Sequence, residues 1–314
     1  MDTHNSTFPT RSFSVNGDLS DNSGTGRCAC RIVQVTAGAI VAVCLGLPSR
    51  APAVEPIPDK LVVMTFDDSV KSHYTIARPA LKKFGFGATF FITEGFTFKT
   101  NKKDYMTWDQ IQTLHLDGFE IGNHTRDHLG ITEDRIDDLE EQLQGIDRQC
   151  KSFGIPKPVS FAWPGNAFTV KALPLLKKYG MLYARRGGNP EFRQWSGKGY
   201  AYEPGRDHHF LIPSAAVPLP KWTLGDLVSA VSQARNDRIA VVQFHGVPEG
   251  EHPFVNTPRR IFEDFLQYLH DHKYKVIALK DISGFVDTST APEDPLDVIN
   301  ARRKTKTNTN EVQE

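Results

Sequence analysis

A parallel α/β fold is what this sequence predicts, either a barrel or a doubly wound sheet, and two observations carry it. Strand-like and helix-like segments alternate from residue 61 onward, over about 230 residues. The residues with chemical potential, Asp67-Asp68, His124, Pro164-Gly165 and His245, all fall at the C-terminal ends of different predicted strands. In a barrel those ends converge on one mouth, so the second observation favours the barrel. There is no internal repeat.

The elements follow in order. Residues 61–66 are a short apolar run with β-branched members that ends in Asp-Asp. Residues 75–84 read as a helix, and Gly85 and Gly87 bracket the turn into a second strand at 88–93. Thr107-Trp108-Asp109-Gln110 has the form of a capping box and opens a helix with Ile111 and Leu114 on one face. A third strand at 119–122 leads into the histidines. Thr132 begins the clearest helix: Glu133 and Asp134 suit its first turn, and Ile136, Leu139, Leu143, Ile146 and Cys150 recur every three or four residues. A fourth strand at 159–163 ends in Pro164-Gly165-Asn166. A helix follows to Tyr179 and stops at Gly180, before a fifth strand at 181–184. Residues 187–207 form a long loop, and 209–212 a sixth strand. Thr223 caps a helix bearing Leu224, Leu227, Val228 and Val231. A seventh strand at 239–244 ends in His245-Gly246. Thr257-Pro258 starts a helix with proline at its first position, and Ile261, Phe262, Phe265, Leu266 and Leu269 form its apolar stripe. The last strand is 276–279, and from Asp287 the chain turns polar and is expected to fray.

The 314 residues suffice for a sizeable core. Lys+Arg and Asp+Glu both number 37, so no charge excess points to nucleic acid or an anionic membrane surface. Residues 1–31 are polar and aperiodic and read as disordered. Arg27 and Arg31 then precede the apolar run 32–47, and Ala51-Pro52-Ala53 supplies small residues where a signal peptidase would cut. The reading is a leader with a signal peptide over 1–53, a catalytic domain over 54–286 and a polar tail over 287–314. An uncleaved anchor or an internal hydrophobic helix competes with the signal peptide. The run is short against the roughly 20 residues of a spanning helix, so no transmembrane domain is expected beyond such an anchor. Export implies a periplasmic, cell-surface or secreted protein. Cys28, Cys30 and Cys44 precede the cut, leaving only Cys150, which belongs to a buried helix stripe.

One carboxylate and two imidazoles can hold a divalent metal, and a carboxylate left over beside it can act as a base. Asp67-Asp68 sits where strand gives way to loop, so both side chains can face one pocket. Alone, the pair reads equally as a turn. His124 and His128 are four apart and can share a metal if the chain coils there, with Asn123 and Thr125 orienting the rings. His245 could serve as a general acid, or be a strand-end histidine satisfied by backbone. Pro164-Gly165-Asn166 could aim a backbone N–H at an oxyanion, or be a plain tight turn. Trp163, Trp195, Tyr200 and Tyr202 could stack sugars, or pack. His208, His209, His252, His270 and His272 are read as structural or exposed.

Together these residues resemble the polysaccharide deacetylases of carbohydrate esterase family 4, in the nodulation-type chitooligosaccharide deacetylase homology domain. Thr65-Phe66-Asp67-Asp68 is similar to that family's Thr-Phe-Asp-Asp motif. His124-Thr125-Arg126-Asp127-His128 is similar to its His-Ser/Thr-x-x-His motif, with Gly122-Asn123 before it also typical. Ala162-Trp163-Pro164-Gly165-Asn166 resembles a variant third motif and Gln243-Phe244-His245 the fifth, so the likeness covers roughly residues 60–285. It implies an incomplete, distorted (β/α) barrel of about seven parallel strands. It also implies a metal-dependent hydrolase that removes acetyl groups from an N- or O-acetylated polysaccharide or oligosaccharide. By resemblance Asp67 is the base, Asp68, His124 and His128 hold the metal, and His245 is the acid. Gly165, with Pro164 and Trp163 beside it, serves the oxyanion and substrate. Zinc is the favoured ion, and cobalt or nickel also suit Asp-His-His. The departures are Ala162 in place of a base-positioning arginine, no fourth-motif aspartate and tryptophan, and Gln243 in place of a leucine. Arg185 or Arg186 is a candidate to replace the arginine. Competing readings are a cyclic amide or ureide hydrolase of the same fold and a non-catalytic carbohydrate-binding barrel.

Overall fold

The computed structural model describes residues 54–193 and 196–311, with side chains of the final helix described as far as Thr305. The expected leader, signal or anchor over 1–53, with Cys28, Cys30 and Cys44, lies outside the described residues, as does Trp195. Among the described residues no helix is long and apolar enough to cross a membrane.

Seven parallel strands curl into an incomplete α/β barrel. They are β1 (Leu61–Phe66), β2 (Thr89–Ile92), β3 (Glu120–Asn123), β4 (Ser160–Ala162), β5 (Tyr183–Arg185), β6 (Ala240–Phe244) and β7 (Lys275–Ile277). Their order is β5-β4-β3-β2-β1-β6, and β7 pairs with the first half of β1, whose last residues pair with β2. Every residue of β1 is fully buried, as its apolar run requires of a central strand. The sixth strand expected at 209–212 is corrected to single bridges: Ile212 pairs with Arg185, and Ala216 pairs with Val242. Ile212 exchanges backbone bonds with Ala184 and Arg186, but Pro213 has no N–H to continue the ladder. An irregular segment thus spans the seam between β5 and β6.

The helices lie outside the sheet. They are α1 (Arg78–Phe84), α2 (Trp108–Leu116), α3 (Leu139–Ser152), α4 (Leu173–Tyr179), α5 (Leu224–Val231), α6 (Arg259–Asp271) and α7 (Asp297–Glu311). Thr107 and Thr223 both close capping boxes, with Gln110 and Asp226 respectively. Thr132 does not cap an α-helix as expected. Its hydroxyl bonds the Asp134 side chain, a 3-10 turn fills Glu133–Asp138, and α3 starts at Leu139. Pro258 occupies the N-cap of α6 rather than its first turn. Cys150 is buried on α3, and burial pushes its thiol up to about 12, in keeping with an inert core residue.

The tail also differs from expectation. Residues 297–311 form α7, with Val298 and Ile299 buried in the cluster that holds Phe161, Trp163 and Leu176. Arg302 donates to both oxygens of Asp207 at 2.7 and 2.9 Å. A short apolar patch and one buried ion pair hold a segment whose overall composition is polar.

Period-2 alternation sorts the strand residues into two faces. Val62, Met64 and Phe66 of β1, and Ala240, Val242 and Phe244 of β6, pack with the helices. Leu61 and Val63, with Val241, Phe91 and Tyr183, fill the barrel interior. Continued past the strand ends, the interior phase runs through Thr65 to Asp67, through Gln243 to His245, and through Tyr183 to Arg185.

Candidate metal and acid–base site

Asp67 inherits the interior phase of β1, whereas alternation alone would send Asp68 to the helix side. Asp68 instead has φ 74°, in the left-handed region, which swings its carboxylate back to the same mouth. Thr125 (φ 55°) and His128 (φ 54°) are held the same way in the turn after β3. Non-glycine residues with left-handed backbones cluster here, as strained residues do at sites that the surrounding structure over-determines. The turn is shaped by Asn123, whose side chain accepts from Thr125 N–H and donates to the Leu143 carbonyl. Asn123 therefore folds the loop rather than orienting a ring. The His124 ring is set by its Nδ1, 2.8 Å from the Ala162 carbonyl. A carbonyl only accepts, so Nδ1 carries the proton and Nε2 presents its lone pair to the pocket.

Asp68 Oδ1 lies 3.3 Å from His124 Nε2 and 3.2 Å from His128 Nε2. One ligand atom from each of the three residues falls within 4.8 Å of the others. Asp68 Oδ1 is also a buried polar atom without a hydrogen-bond partner. An orphaned carboxylate oxygen beside two imidazole nitrogens is a donor set that fits a divalent cation such as zinc. Burial disfavours the Asp68 charge, but the facing His124 and His128 rings outweigh it and hold the carboxyl well below its usual range. Burial likewise opposes charge on His124, yet Asp67 and Asp68 lift it above the ordinary imidazole value. Protons and a metal cation compete for this cradle.

Asp67 has a separate set of partners. Arg185 Nη2 donates to both its oxygens at 2.6 Å, and Gln243 Nε2 donates to Oδ2 at 3.0 Å. Gln243 is itself held by the Ser214 hydroxyl, which donates to its Oε1 at 3.2 Å. Of the two candidate arginines, Arg185 therefore meets the aspartate. Arg186 turns outward by strand phase and pairs with Glu191. His245 Nε2 is 3.9 Å from Asp68 Oδ2, and its main-chain carbonyl accepts from His73 Nε2 at 3.0 Å. Burial drives His73 down to about 4, so it is neutral at physiological pH.

Asp67, Asp68, His124, His128, Gly165, Gln243 and His245 all line one pocket of about 240 Å³. Gly165 reaches it with φ 59°, a backbone that strongly favours glycine. Trp163 and Pro164, expected at the substrate, are corrected: both are buried and neither lines the pocket. Trp163 shares the outward phase of Phe161, packs in that outer cluster and donates its indole N–H to the Phe210 carbonyl. Tyr202 is buried too, and Tyr200 packs on Phe192 and Arg302, so the expected stacking platform does not form from them. His252, read as structural or exposed, lines the pocket instead, together with Phe96, Phe254 and Asn166. Loop residues of this kind carry no periodic signal, and only their nearness to strand ends could have marked them.

This arrangement meets its relatives at the sequence level. The family model described as polysaccharide deacetylase matches residues 55–184. The matched span holds both aspartates and both histidines, while Arg185, Gln243 and His245 come from beyond it. Peptidoglycan-N-acetylglucosamine deacetylase of Bacillus cereus is 24% identical over 145 residues, 46% of this chain and 64% of that protein. YxkH of Bacillus subtilis, provisionally named a polysaccharide deacetylase, is 37% identical over 71 residues, 23% of this chain and 24% of that protein. The chain thus spans 24% to 64% of the length of the curated relatives it matches. Among solved structures, PdaA of Bacillus subtilis, a family 4 carbohydrate esterase, is 18% identical over 73% of this chain and 83% of its own, with TM-score 0.49. BA3943 of Bacillus anthracis, titled a CE4 family pseudoenzyme, is 17% identical over 74% of this chain and 67% of its own, with TM-score 0.48.

Proposed function

We propose that this protein is a metal-dependent hydrolase that removes acetyl groups from an N-acetylated, or O-acetylated, polysaccharide or oligosaccharide. The observation that carries the reading is the division of two adjacent carboxylates. Asp68 faces His124 and His128, while Asp67 faces Arg185 and Gln243. One set suits a cation and the other a proton acceptor.

Asp68, His124 and His128 would hold the ion, zinc by preference, with cobalt or nickel also suited to the donors. When bound, such an ion supplies Lewis acidity that makes water a nucleophile near neutral pH. The protein's own groups account for the rest. Asp67, its carboxylate fixed by Arg185 and Gln243, takes the proton of the attacking water. The backbone N–H of Gly165, in the pocket lining, would serve as the donor where the carbonyl oxygen gains charge. His245 gives a proton to the departing nitrogen, because an amide anion is too basic to leave unaided. The products are acetate and a free amino sugar. Export directed by residues 1–53 would place this chemistry on a glycan outside the cytoplasm.

Acetate release from N-acetylated oligosaccharides by the purified full chain, with and without chelator, tests this reading. Chelator-sensitive release supports it. Turnover of cyclic ureides alone, or saccharide binding without turnover, would replace it.

A further inference from the structure

We propose that Phe96, His252 and Phe254 form an aromatic shelf at the pocket mouth that stacks on an uncharged sugar ring of the substrate. The site would thus select neutral over anionic glycans. This rests on the deacetylase reading and names the part of the site that grips the sugar.

All three rings line the pocket that holds Asp67, Asp68 and the two metal-facing histidines. Phe96 is 47% exposed and Phe254 53%, and no other aromatic side chain stands among the exposed large hydrophobics of the described residues. Apolar rings facing water at the mouth of a pocket mark a contact surface rather than a core. The rings are continuous: the Phe96 centroid is 4.6 Å from that of His252, which is 5.9 Å from that of Phe254. Phe96 also lies 4.4 Å from the ring of His128, which fixes the shelf relative to the reacting centre.

The backbone supports a positioned role for Phe96. Its φ is 55°, an unfavourable left-handed value for a bulky side chain. The preceding Gly95 presses against the neighbouring turn so closely that a Cβ there would lie 2.7 Å from His128 Cβ. Thr93 Oγ1 accepts from Gly95 N–H at 3.0 Å and holds this approach. The strain places an exposed ring directly over a metal-facing histidine.

The lining also states what the shelf would hold. It contains no lysine or arginine, and its remaining wall combines Val217, Leu219 and Val255 with Gly165, Asn166, Gln243 and His245. Arg185 lies behind the pocket, paired with Asp67. A carboxylated or sulfated ring would find no lysine or arginine among the lining residues to pair with. The C–H face of a neutral pyranose meets aromatic faces without such a cost.

Steady-state kinetics of the metal-loaded full chain on N-acetylglucosamine oligomers test the shelf. Phe96→Ala and Phe254→Ala should each raise KM about three- to tenfold, with the loss falling on KM rather than kcat. Phe254→Trp should restore KM, and Phe254→Leu, which keeps apolar bulk without a ring, should behave like the alanine variant. Unchanged KM in both alanine variants, or rescue by leucine, would overturn the stacking role. The unaltered protein should also show at least a tenfold higher KM on oligomers carrying a carboxylate on each alternate sugar. Equal KM values would overturn the charge selection. If the unaltered protein releases no acetate from any acetylated saccharide, the deacetylase reading itself fails. Release by the unaltered protein with indifferent variants defeats the shelf alone.

Discussion

Arg185 Nη2 stands 2.6 Å from each carboxylate oxygen of Asp67, across 118 residues of chain, and both side chains are almost completely buried. The arginine that positions this aspartate thus comes from the end of β5, whereas the fourth strand, where the family pattern puts it, offers Ala162. Arg185→Lys should keep the charge but withdraw the Nη2 that holds both oxygens, with kcat falling on the order of 100-fold if the base shifts by about an ångström. Arg185→Ala leaves Asp67 buried without its countercharge and should cost about 3–5 kcal/mol of stability. Chemical denaturation together with acetate-release kinetics reads both effects. A lysine variant with full kcat would remove the positioning role.

Asp68→Ala should abolish retention of zinc after dialysis, measured by elemental analysis, while the fold persists by circular dichroism. Because His124 is lifted above the ordinary imidazole value, protons oppose the metal at higher pH than at an exposed histidine. Metal retention by the unaltered protein should therefore weaken as pH falls. An Asp68→Ala protein that keeps stoichiometric metal would contradict the ligand assignment.

Glu120 sits inside the barrel away from the mouth, where it accepts from the Thr89 and Ser160 hydroxyls and from Lys280 N–H. Burial raises its carboxyl above the usual value despite these bonds. A raised acid is neutral in both states below the unfolded value, so its cost to stability appears only as pH climbs past that value and levels off above the folded one. Glu120→Gln should remove that fall and leave the protein equal or more stable at pH 7. Thermal melts across pH 4–8 would show it, and a strongly destabilised variant at pH 7 would contradict it.

His73 and His209 behave oppositely. Burial lowers each from about 6.5 to about 4. Neutral in the fold and chargeable when unfolded, they contribute stability that is complete above about 6.5 and lost as pH falls toward about 4. His209→Gln should flatten part of the acid limb of the stability curve. An unchanged acid limb would sink the assignment for that residue.

Arg302 on α7 is the countercharge for Asp207, which is 1% exposed, and lies 3.7 Å from buried Glu191. Arg302→Met leaves these carboxylates without it and should destabilise the fold by about 3–5 kcal/mol. A denaturant midpoint unchanged from that of the parent would show that α7 is not anchored there.

Much of this was legible because strand phase is local. The interior positions run straight through β1 to Asp67 and through β6 to Gln243 and His245. The same phase shows why Trp163 faces outward with Phe161, a conclusion that motif position alone obscured. Asp68 escapes the alternation only through its left-handed backbone, which no hydrophobic pattern encodes. The partner of Asp67 depended on which of two adjacent arginines shares the phase of Tyr183. Gln243, which looked like a loss, turns out to be a second donor to Asp67. The strand expected at 209–212 failed because Pro213 ends its ladder after one pair. Helix α7 was missed because two buried apolar residues and one ion pair outweigh a polar composition. Phe96, His252 and Phe254 lie on loops, whose position is set by tertiary contacts.

The most direct measurement is acetate released from an N-acetylglucosamine oligomer by the purified full chain, before chelation, after chelation and after zinc is restored. The account predicts release that disappears with the chelator, returns with zinc, and is absent in Asp67→Asn despite undiminished metal content. Release that is indifferent to chelator, or that persists in Asp67→Asn, would contradict it.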